Sequence, residues 1–206
     1  MNNTELKQYI LKHNVKINGV IHVGAHFGQE DDTYKELGIK NRLYFEPLLL
    51  NFNTLKNSIK DDDVIIVKKA LGNEKKIVSM YVETKNNGMS SSILEPKLHT
   101  KQFPDIVFNS TEDVELDRLD DLEYDFSKYN MMNIDVQGFE LEVLKGSINT
   151  LKNIDYIIVE INNAELYAGC PMFNDINNFL VNHNFTCVDQ FWWGNNFGEG
   201  FFKKLK

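Results

Sequence analysis

Cysteine is scarce in this chain of 206 residues, which carries only Cys170 and Cys187. The two thiols are not spaced as a CxxC pair or as a zinc knuckle, so the sequence argues against a disulfide framework and favours buried structural cysteines. That usage is compatible with a reducing compartment.

Long apolar runs are also missing. No stretch approaches the roughly 18 consecutive apolar residues of a membrane span, and residues 1–5 lack the basic-then-apolar order of a signal peptide. We therefore expect a cytoplasmic protein without a membrane span.

Basic residues are outnumbered, with 22 Lys and Arg against 30 Asp and Glu, a net charge of −8 and a pI near 5.1. A nucleic-acid partner would require a basic face that neutralises phosphates. The composition therefore predicts no nucleic-acid partner and a substrate that is neutral or small.

No repeat period and no linker rich in Pro, Ser or Gly divides the chain. Its length and its 42% of hydrophobic residues are ample for one sheet core covered on two faces. We predict a single α/β domain over residues 1–206.

The most informative segment is residues 20–30, where four strand-type residues run into a turn with Gly24 and Gly28 that opens a helix. Such a turn presents unpaired N–H groups to a small anionic or nucleotide-like cofactor. Glu46 closes a second apolar run about twenty residues on, the offset at which α/β folds place a carboxylate on a ribose diol.

Apolar runs alternate with helical patterns along the first third of the chain. Strands are predicted over 20–24, 43–46 and 64–67, and helices over 5–11, 29–37 and 48–59. The strands are continuously apolar, which is typical of a parallel sheet with helices on both faces.

The pattern breaks between residues 77 and 119, where a β-type run at 77–82 precedes a polar stretch. We interpret residues 86–113 as an insertion that covers the sheet edge as a lid and selects the substrate. A disordered surface loop is the alternative.

Two later predicted strands, 131–135 and 156–161, end in Asp135 and near Glu160. Both carboxylates would lie at the carboxyl edge of the sheet, where open α/β folds bind ligands. Each acid also fits a structural role, as a helix cap or a solvated strand end. A helix around residues 176–180 and a hairpin of 186–191 with 200–203 would complete the sheet.

Several short motifs together resemble the FkbM family of S-adenosylmethionine-dependent methyltransferases. Their order and spacing match the family over roughly residues 18–205. The motifs are Val23-Gly24-Ala25-His26-Phe27-Gly28, Phe45-Glu46-Pro47, Ala70-Leu71-Gly72, Ser90-Ser91-Ser92, Leu116-Asp117-Arg118-Leu119-Asp120, Ile134-Asp135-Val136-Gln137-Gly138-Phe139-Glu140 with Leu144-Lys145-Gly146, and Val159-Glu160-Ile161-Asn162.

The resemblance implies a class I methyltransferase fold, Rossmann-like, with a seven-stranded, mostly parallel sheet, helices on both faces and an antiparallel C-terminal strand. It also implies O-methylation of a hydroxyl on a sugar or a polyketide-like molecule. The chain departs from the family at two positions: His22 stands where many relatives carry Asp, and Gln137 where many carry Glu.

The same resemblance assigns the cofactor site. Gly24, Ala25 and Gly28 would shape the pocket for the methionine part, Glu46 would hold the ribose hydroxyls, and Asp135 would face the sulfonium and amino group. The full predicted cofactor set is His22, Gly24, Ala25, His26, Gly28, Glu46, Pro47, Ala70, Leu71, Ser91 and Asp135.

An alcohol is a poor nucleophile at neutral pH. Its proton must be removed by a general base, or a bound metal must lower the pKa of the hydroxyl. Asp135, Glu160 and His26 are the candidate catalytic residues. Asp135 and Glu160 with Asn162 would form an oxygen-rich Mg²⁺ or Mn²⁺ site. His99 lies in the predicted lid, and Trp192 with Trp193 would either stack on a sugar ring or pack in the core.

The leading hypothesis is an O-methyltransferase acting on a sugar hydroxyl of a glycan or glycoside, as a domain of a larger glycan-building enzyme. A nicotinamide-dependent oxidoreductase is disfavoured because the third glycine of its phosphate loop and a hydride-transfer pair are missing. A non-catalytic cofactor-binding module is the third hypothesis.

Overall fold

Seven strands form the main sheet, and three more form a small second sheet. The computed structural model describes residues 3–205, and the side chains of residues 6–205. The strands are β1 Gly19–Val23, β2 Asn41–Phe45, β3 Val64–Val67, β4 Ala70–Leu71, β5 Lys76–Glu83, β6 Phe108–Asp117, β7 Met131–Ile134, β8 Tyr156–Asn162, β9 Phe185–Trp193 and β10 Phe197–Lys204.

Six α-helices accompany the strands in the described part of the chain. They are α1 Asn3–Lys12, α2 Asp31–Glu36, α3 Leu49–Ser58, α4 His99–Gln102, α5 Glu140–Lys145 and α6 Phe173–Asn182. Within residues 3–205, none is long and apolar enough to cross a bilayer.

The main sheet has the strand order β3-β2-β1-β7-β8-β10-β9. All neighbours are parallel except β10, which runs antiparallel to both β8 and β9. The predicted seven-stranded sheet and its C-terminal hairpin are confirmed. The chain order reverses between β1 and β7, so the ligand crevice of this fold is expected at their carboxyl ends.

Apolar side chains fill both faces of the sheet, because successive strand residues point in opposite directions. Ile21, Ile134 and Val159 lie in one core cluster with residues of α5 and α6. The other cluster contains Val20 and Ile158 with residues of α1, α2 and α3. This two-sided burial explains why the strands were predicted from continuous apolar runs.

The second sheet, in the order β4-β6-β5, occupies the region where the sequence pattern breaks. The β-type run at 77–82 is confirmed as part of β5, whereas β6 was not predicted. The sequence of β6 over 109–113 is polar and mostly exposed, so it carries no apolar signal. Within residues 86–113, Lys97 N donates to Leu166 O at 2.8 Å, which ties the predicted lid to the chain after β8.

A very close backbone approach joins the turn after β1 to the loop after β7. Gly24 has φ +82°, and a Cβ built there would lie 1.8 Å from the Asp135 carbonyl oxygen. No side chain fits this position without separating the two strand ends. Asp135 is thereby held at the centre of the carboxyl edge.

Gly24→Ala should therefore destabilise the protein much more than an alanine placed at a glycine with similar φ and free space. Gly38 is that control, with φ +74° and no atom within 4 Å of its Cβ position. Urea unfolding should show a loss of about 1 kcal/mol for Gly38→Ala from the left-handed backbone alone, and of more than about 3 kcal/mol for Gly24→Ala. Equal losses would contradict the close approach.

Candidate active site

Three neighbouring clefts open at the carboxyl edge of the main sheet, and Asp135 and Met89 line all three. We name them the Glu46 cleft, the His22 cleft and the His99 cleft. They enclose about 540, 1080 and 890 Å³ respectively, open solvent included. Sites of this size hold small-molecule ligands, and their common boundary at Asp135 makes them parts of one site.

Glu46 lies at the end of β2 and is fixed by backbone donors from two loops. Its Oε2 accepts from His26 N at 2.9 Å, and its Oε1 accepts from Leu48 N at 3.0 Å. Burial raises the pKa of its carboxyl to about 7. Two carboxylate oxygens offer about four acceptor positions, so Glu46 retains acceptor capacity toward the cleft that it lines.

Apolar groups form one wall of the Glu46 cleft. Ala70 and Leu71 of β4 line it together with Pro47 and Phe139. A site with a carboxylate at one end and a flat apolar wall fits a ribose joined to a base. The predicted cofactor residues of this region are thus brought together, Ser91 among them.

His22 stands in β1 at the head of the His22 cleft. Burial lowers its pKa to about 4, so the imidazole is neutral at neutral pH. Its Nδ1 lies 3.3 Å from the Tyr34 hydroxyl, which accepts from Asn133 Nδ2 at 2.9 Å. His22 therefore contributes a neutral imidazole and no charge to the cleft.

Carboxyl groups from four parts of the chain line the His22 cleft. They are Glu30, Asp135, Glu160 and Glu199. Glu160 and Glu199 face each other in the register of β8 and β10. Burial, and next the charge of Asp135, raise the pKa of Glu160 well above its ordinary value. A cationic ligand would favour the ionised forms of these carboxyls, so the cleft is suited to a cation.

Gln137 connects the acids to the far wall of the site. Its Nε2 donates to Asp135 Oδ1 at 2.7 Å and lies 3.4 Å from Glu160 Oε2. Its Oε1 lies 2.8 Å from the Tyr167 hydroxyl. Sequence reasoning noted Gln137 only as a departure from the family, because contacts across 23 and 30 residues leave no local signal.

Glu140 holds the loop that carries Asp135 and Gln137. The side chain is fully buried, and its Oε1 accepts from Val136 N at 3.1 Å and from Gly138 N at 2.9 Å. Burial raises the pKa of this carboxyl to about 7. Gln137 itself has φ +56°, a conformation that these contacts help to maintain.

His26 is fully engaged at the turn after β1. Its Nδ1 lies 2.7 Å from Gln29 Nε2, and its Nε2 lies 2.9 Å from the Asn87 carbonyl. A ring with one accepting and one donating nitrogen has both positions occupied. The contacts favour a role in tying the turn to the predicted lid over a role as proton acceptor.

Gly28 lies outside the three clefts, unlike the other predicted cofactor residues. A Cβ at Gly28 would lie 2.5 Å from Leu55 Cδ1 of α3, and its φ is +76°. The glycine is required where the turn packs on α3, so the structure gives it no contact with the site.

The start of α2 does not form the expected anion site. The helix has only six residues and begins with Asp31 and Asp32. Carboxylates in the first turn already interact with the helix dipole and repel a phosphate. Of the two expected ligand types, the start of α2 therefore favours a nucleotide-like cofactor without a phosphate over an anionic one.

A metal site is not supported by the donor set. Among the described residues, no group of three or more His, Cys, Asp or Glu side chains is arranged to hold an ion. Asp135 Oδ1 accepts from Gln137, and Asn162, buried opposite Phe197 in the sheet, is not among the residues lining the three clefts. No catalytic step is assigned to a metal.

The two tryptophans of β9 have different surroundings. Trp193 lines the His99 cleft with His99 and Phe197. Trp192 packs against the main core cluster and meets Phe173 edge-on at 6.4 Å. Trp192 therefore packs in the core, and stacking on a sugar ring stays a prediction for Trp193.

The strand order, the single antiparallel strand and the cleft position define a class I S-adenosylmethionine-dependent methyltransferase fold. Residues 22–187 match the methyltransferase FkbM domain. The chain belongs to the FkbM methyltransferase family.

Solved structures with this fold include methyltransferase FkbM from Methylobacillus flagellatus, with a TM-score of 0.64 and 11% identity over 98% of this chain and 48% of that one. A Streptococcus pneumoniae protein described as a tRNA (m1A22) methyltransferase, in complex with S-adenosyl-L-methionine, has a TM-score of 0.56 and 12% identity over 98% of this chain and 74% of that one. These likenesses concern the fold.

Two curated relatives match shorter segments. The 2-O-methyltransferase NoeI of Sinorhizobium fredii is 34% identical over 111 residues, which are 53% of this chain and 45% of NoeI. The hexuronic acid methyltransferase AglP of Haloferax volcanii is 53% identical over 34 residues, 16% of this chain and 14% of AglP. The matches thus span less than half of either relative.

Because several carboxyls are buried, we expect the free energy of unfolding of the protein to fall as pH rises from about 5 to about 8. The pKa values of Glu46, Glu140 and Glu199 are raised from 4.5 to about 7. The folded protein therefore binds more protons than the unfolded chain in this window. Stability from these groups is complete below about pH 4.5 and is lost as pH rises through about 7.

Glu140→Gln keeps the Oε1 acceptor but cannot ionise. Urea unfolding at several pH values should therefore show that the free energy of unfolding falls less with rising pH in this variant than in the unsubstituted protein, by on the order of 3 kcal/mol at most. Exposed Glu123→Gln is the matched control. An unchanged slope in Glu140→Gln, or stability that rises with pH, would contradict the role of burial.

Proposed function

We propose that this chain is an S-adenosylmethionine-dependent O-methyltransferase that methylates a hydroxyl of a sugar ring in a glycan or glycoside. The observation that carries the proposal is the convergence of three clefts on Asp135. One cleft fits a nucleoside, one fits a cationic amino acid, and the third opens toward an acceptor.

The residues present fit the proposed cofactor. Glu46 has acceptor capacity for a ribose diol, and Ala70 and Leu71 give an apolar wall for adenine. His22, Gly24 and Ala25 line the cleft for the methionine part. The acids around that cleft favour the positive charges of a sulfonium and an ammonium group.

When bound, S-adenosylmethionine supplies an electrophilic methyl group on a sulfonium sulfur. The His99 cleft would hold the acceptor hydroxyl on the opposite side of Asp135, because both clefts share this residue. Fixing two reactants in line can provide most of the rate enhancement of a displacement. The lid residues 86–113, which contribute Met89, Ser90 and His99 to the clefts, would exclude water.

Proton removal from the hydroxyl is assigned to the Asp135 and Glu160 pair. Both carboxyls line the His99 cleft, and Gln137 lies between them. The hydroxyl proton passes to a carboxylate oxygen of this pair as the hydroxyl oxygen bonds to the methyl carbon. Because the pKa of Glu160 is raised, the reaction rate should increase with pH until the pair is fully ionised.

The curated relatives support the sugar acceptor. One is named a 2-O-methyltransferase and the other a hexuronic acid methyltransferase. We extend the sugar acceptor from these two relatives to this chain. We also propose that the chain acts as one domain of a larger glycan-building enzyme.

Cofactor binding tests the assignment of Glu46. Titration calorimetry of Glu46→Gln with S-adenosylhomocysteine should show affinity reduced by about 1–3 kcal/mol, or roughly 5- to 150-fold, because ribose hydroxyls would lose a charged acceptor. Glu123→Gln should bind like the unsubstituted protein. Equal affinity for Glu46→Gln would remove Glu46 from the cofactor site.

Methyl transfer tests the carboxyl pair. Asp135→Asn and Glu160→Gln should each lower kcat by roughly 100-fold or more, and Glu160→Gln should also abolish the rise of rate with pH. Exposed Asp121→Asn is the control. Transfer of labelled methyl by either variant at a near-normal rate, with an unchanged pH profile, would exclude the pair as the base.

A further inference from the structure

The His99 cleft is walled by aromatic rings from two distant parts of the chain. Phe103 follows α4, and Trp193 and Phe197 close the C-terminal hairpin as a cross-strand pair. Ring centroids of Phe103 and Phe197 are 6.1 Å apart, and those of Trp193 and Phe197 are 5.6 Å apart. The rings thus form one continuous wall.

Charge in this cleft has a single sign. Asp135 and Glu160 lie at its inner end, and among its described lining residues there is no lysine or arginine. Of the two lysines in residues 86–113, Lys97 is paired with Glu165, and Lys101 is not among the residues that line the cleft. An anionic ligand would approach two acids with no cation to pair with it.

His99 does not supply a positive charge either. Its ring is packed between Phe103, at a centroid distance of 5.0 Å, and Tyr167, at 5.3 Å. Burial lowers its pKa, and Glu83 opposes that effect only in part. The residue is 5% exposed and its Nδ1 is buried without a partner, so His99 adds no cation to the cleft.

We propose that the His99 cleft binds an uncharged sugar ring, with its C–H face on the wall of Phe103, Trp193 and Phe197 and one hydroxyl at Asp135 and Glu160, and that it rejects uronic acids and phosphorylated sugars. The inference rests on the proposed function and specifies its acceptor class. Aromatic faces carry negative charge density and attract the electropositive C–H groups of a pyranose. The same faces repel a carboxylate or a phosphate, and the cleft lining offers neither anion a lysine or an arginine.

Matched glycosides test the inference directly. The protein, saturated with S-adenosylhomocysteine, is titrated with neutral methyl glycosides of the gluco, galacto, manno, fuco and rhamno series and with the methyl glucuronide and galacturonide. Tryptophan fluorescence reports binding near Trp193. At least one neutral glycoside should bind 10-fold or more tightly than either uronide.

The other outcomes contradict either the inference alone or the proposed function as well. The inference is overturned if a uronide binds as tightly as the best neutral glycoside, or if no neutral glycoside binds. In either case the proposed function still stands, because the protein binds the cofactor product. Failure to bind S-adenosylhomocysteine overturns the proposed function and the inference with it.

Two variants test the cause of the selectivity. Asn86→Lys places a cation at the exposed rim of the cleft and should reduce the preference for neutral glycosides at least 3-fold. Asn182→Lys, at the end of α6, is the matched control.

Trp193→Leu should weaken the binding of neutral glycosides about 10-fold and leave the binding of S-adenosylhomocysteine unchanged, both measured by calorimetry. An unaltered preference in Asn86→Lys, or unaltered glycoside affinity in Trp193→Leu, contradicts the assigned wall and charge.

Discussion

The site depends on the contact between the turn after β1 and the loop after β7. Only glycine fits at position 24, because the Asp135 carbonyl oxygen occupies the space of a Cβ. The approach is fixed by Asp135 N donating to Val23 O at 3.0 Å and by Gly24 N donating to Phe45 O at 3.0 Å. Three strand ends thereby converge, and the carboxylate of Asp135 borders all three clefts. A shift of this loop would separate the cofactor clefts from the acceptor cleft.

A second constraint is the concentration of carboxyl groups in a region that excludes water. Glu140 is fully buried and Glu160 is 8% exposed, and burial raises the pKa of each. Burying these carboxyls costs stability. Hydrogen bonds from backbone N–H groups and from Gln137 offset part of that cost and hold the loop and the acids in place. A cationic cofactor would relieve the repulsion among the acids, so binding energy and site electrostatics act in the same direction.

Much of the fold could be predicted from the sequence where burial leaves a local pattern. Strands such as β1 and β8 are buried on both faces and are continuously apolar, which identified the parallel sheet. The polar strand β6 has no such pattern and was missed. The motifs located Glu46, Asp135 and Glu160 at one edge, but the bridging role of Gln137 and the engagement of both His26 nitrogens depend on contacts between distant segments. Gly28 is a turn glycine near a cofactor motif, and its packing against α3 could not be read from the motif either.

The central claim is that the clefts around Asp135 form a site for a cationic nucleoside cofactor and not for a dinucleotide. Titration calorimetry of the unsubstituted protein with S-adenosylmethionine, run beside NAD⁺ under the same conditions, tests it most directly. The account predicts saturable binding of S-adenosylmethionine with one site per chain and no binding of NAD⁺. Binding of NAD⁺ alone, or of neither compound, would contradict it.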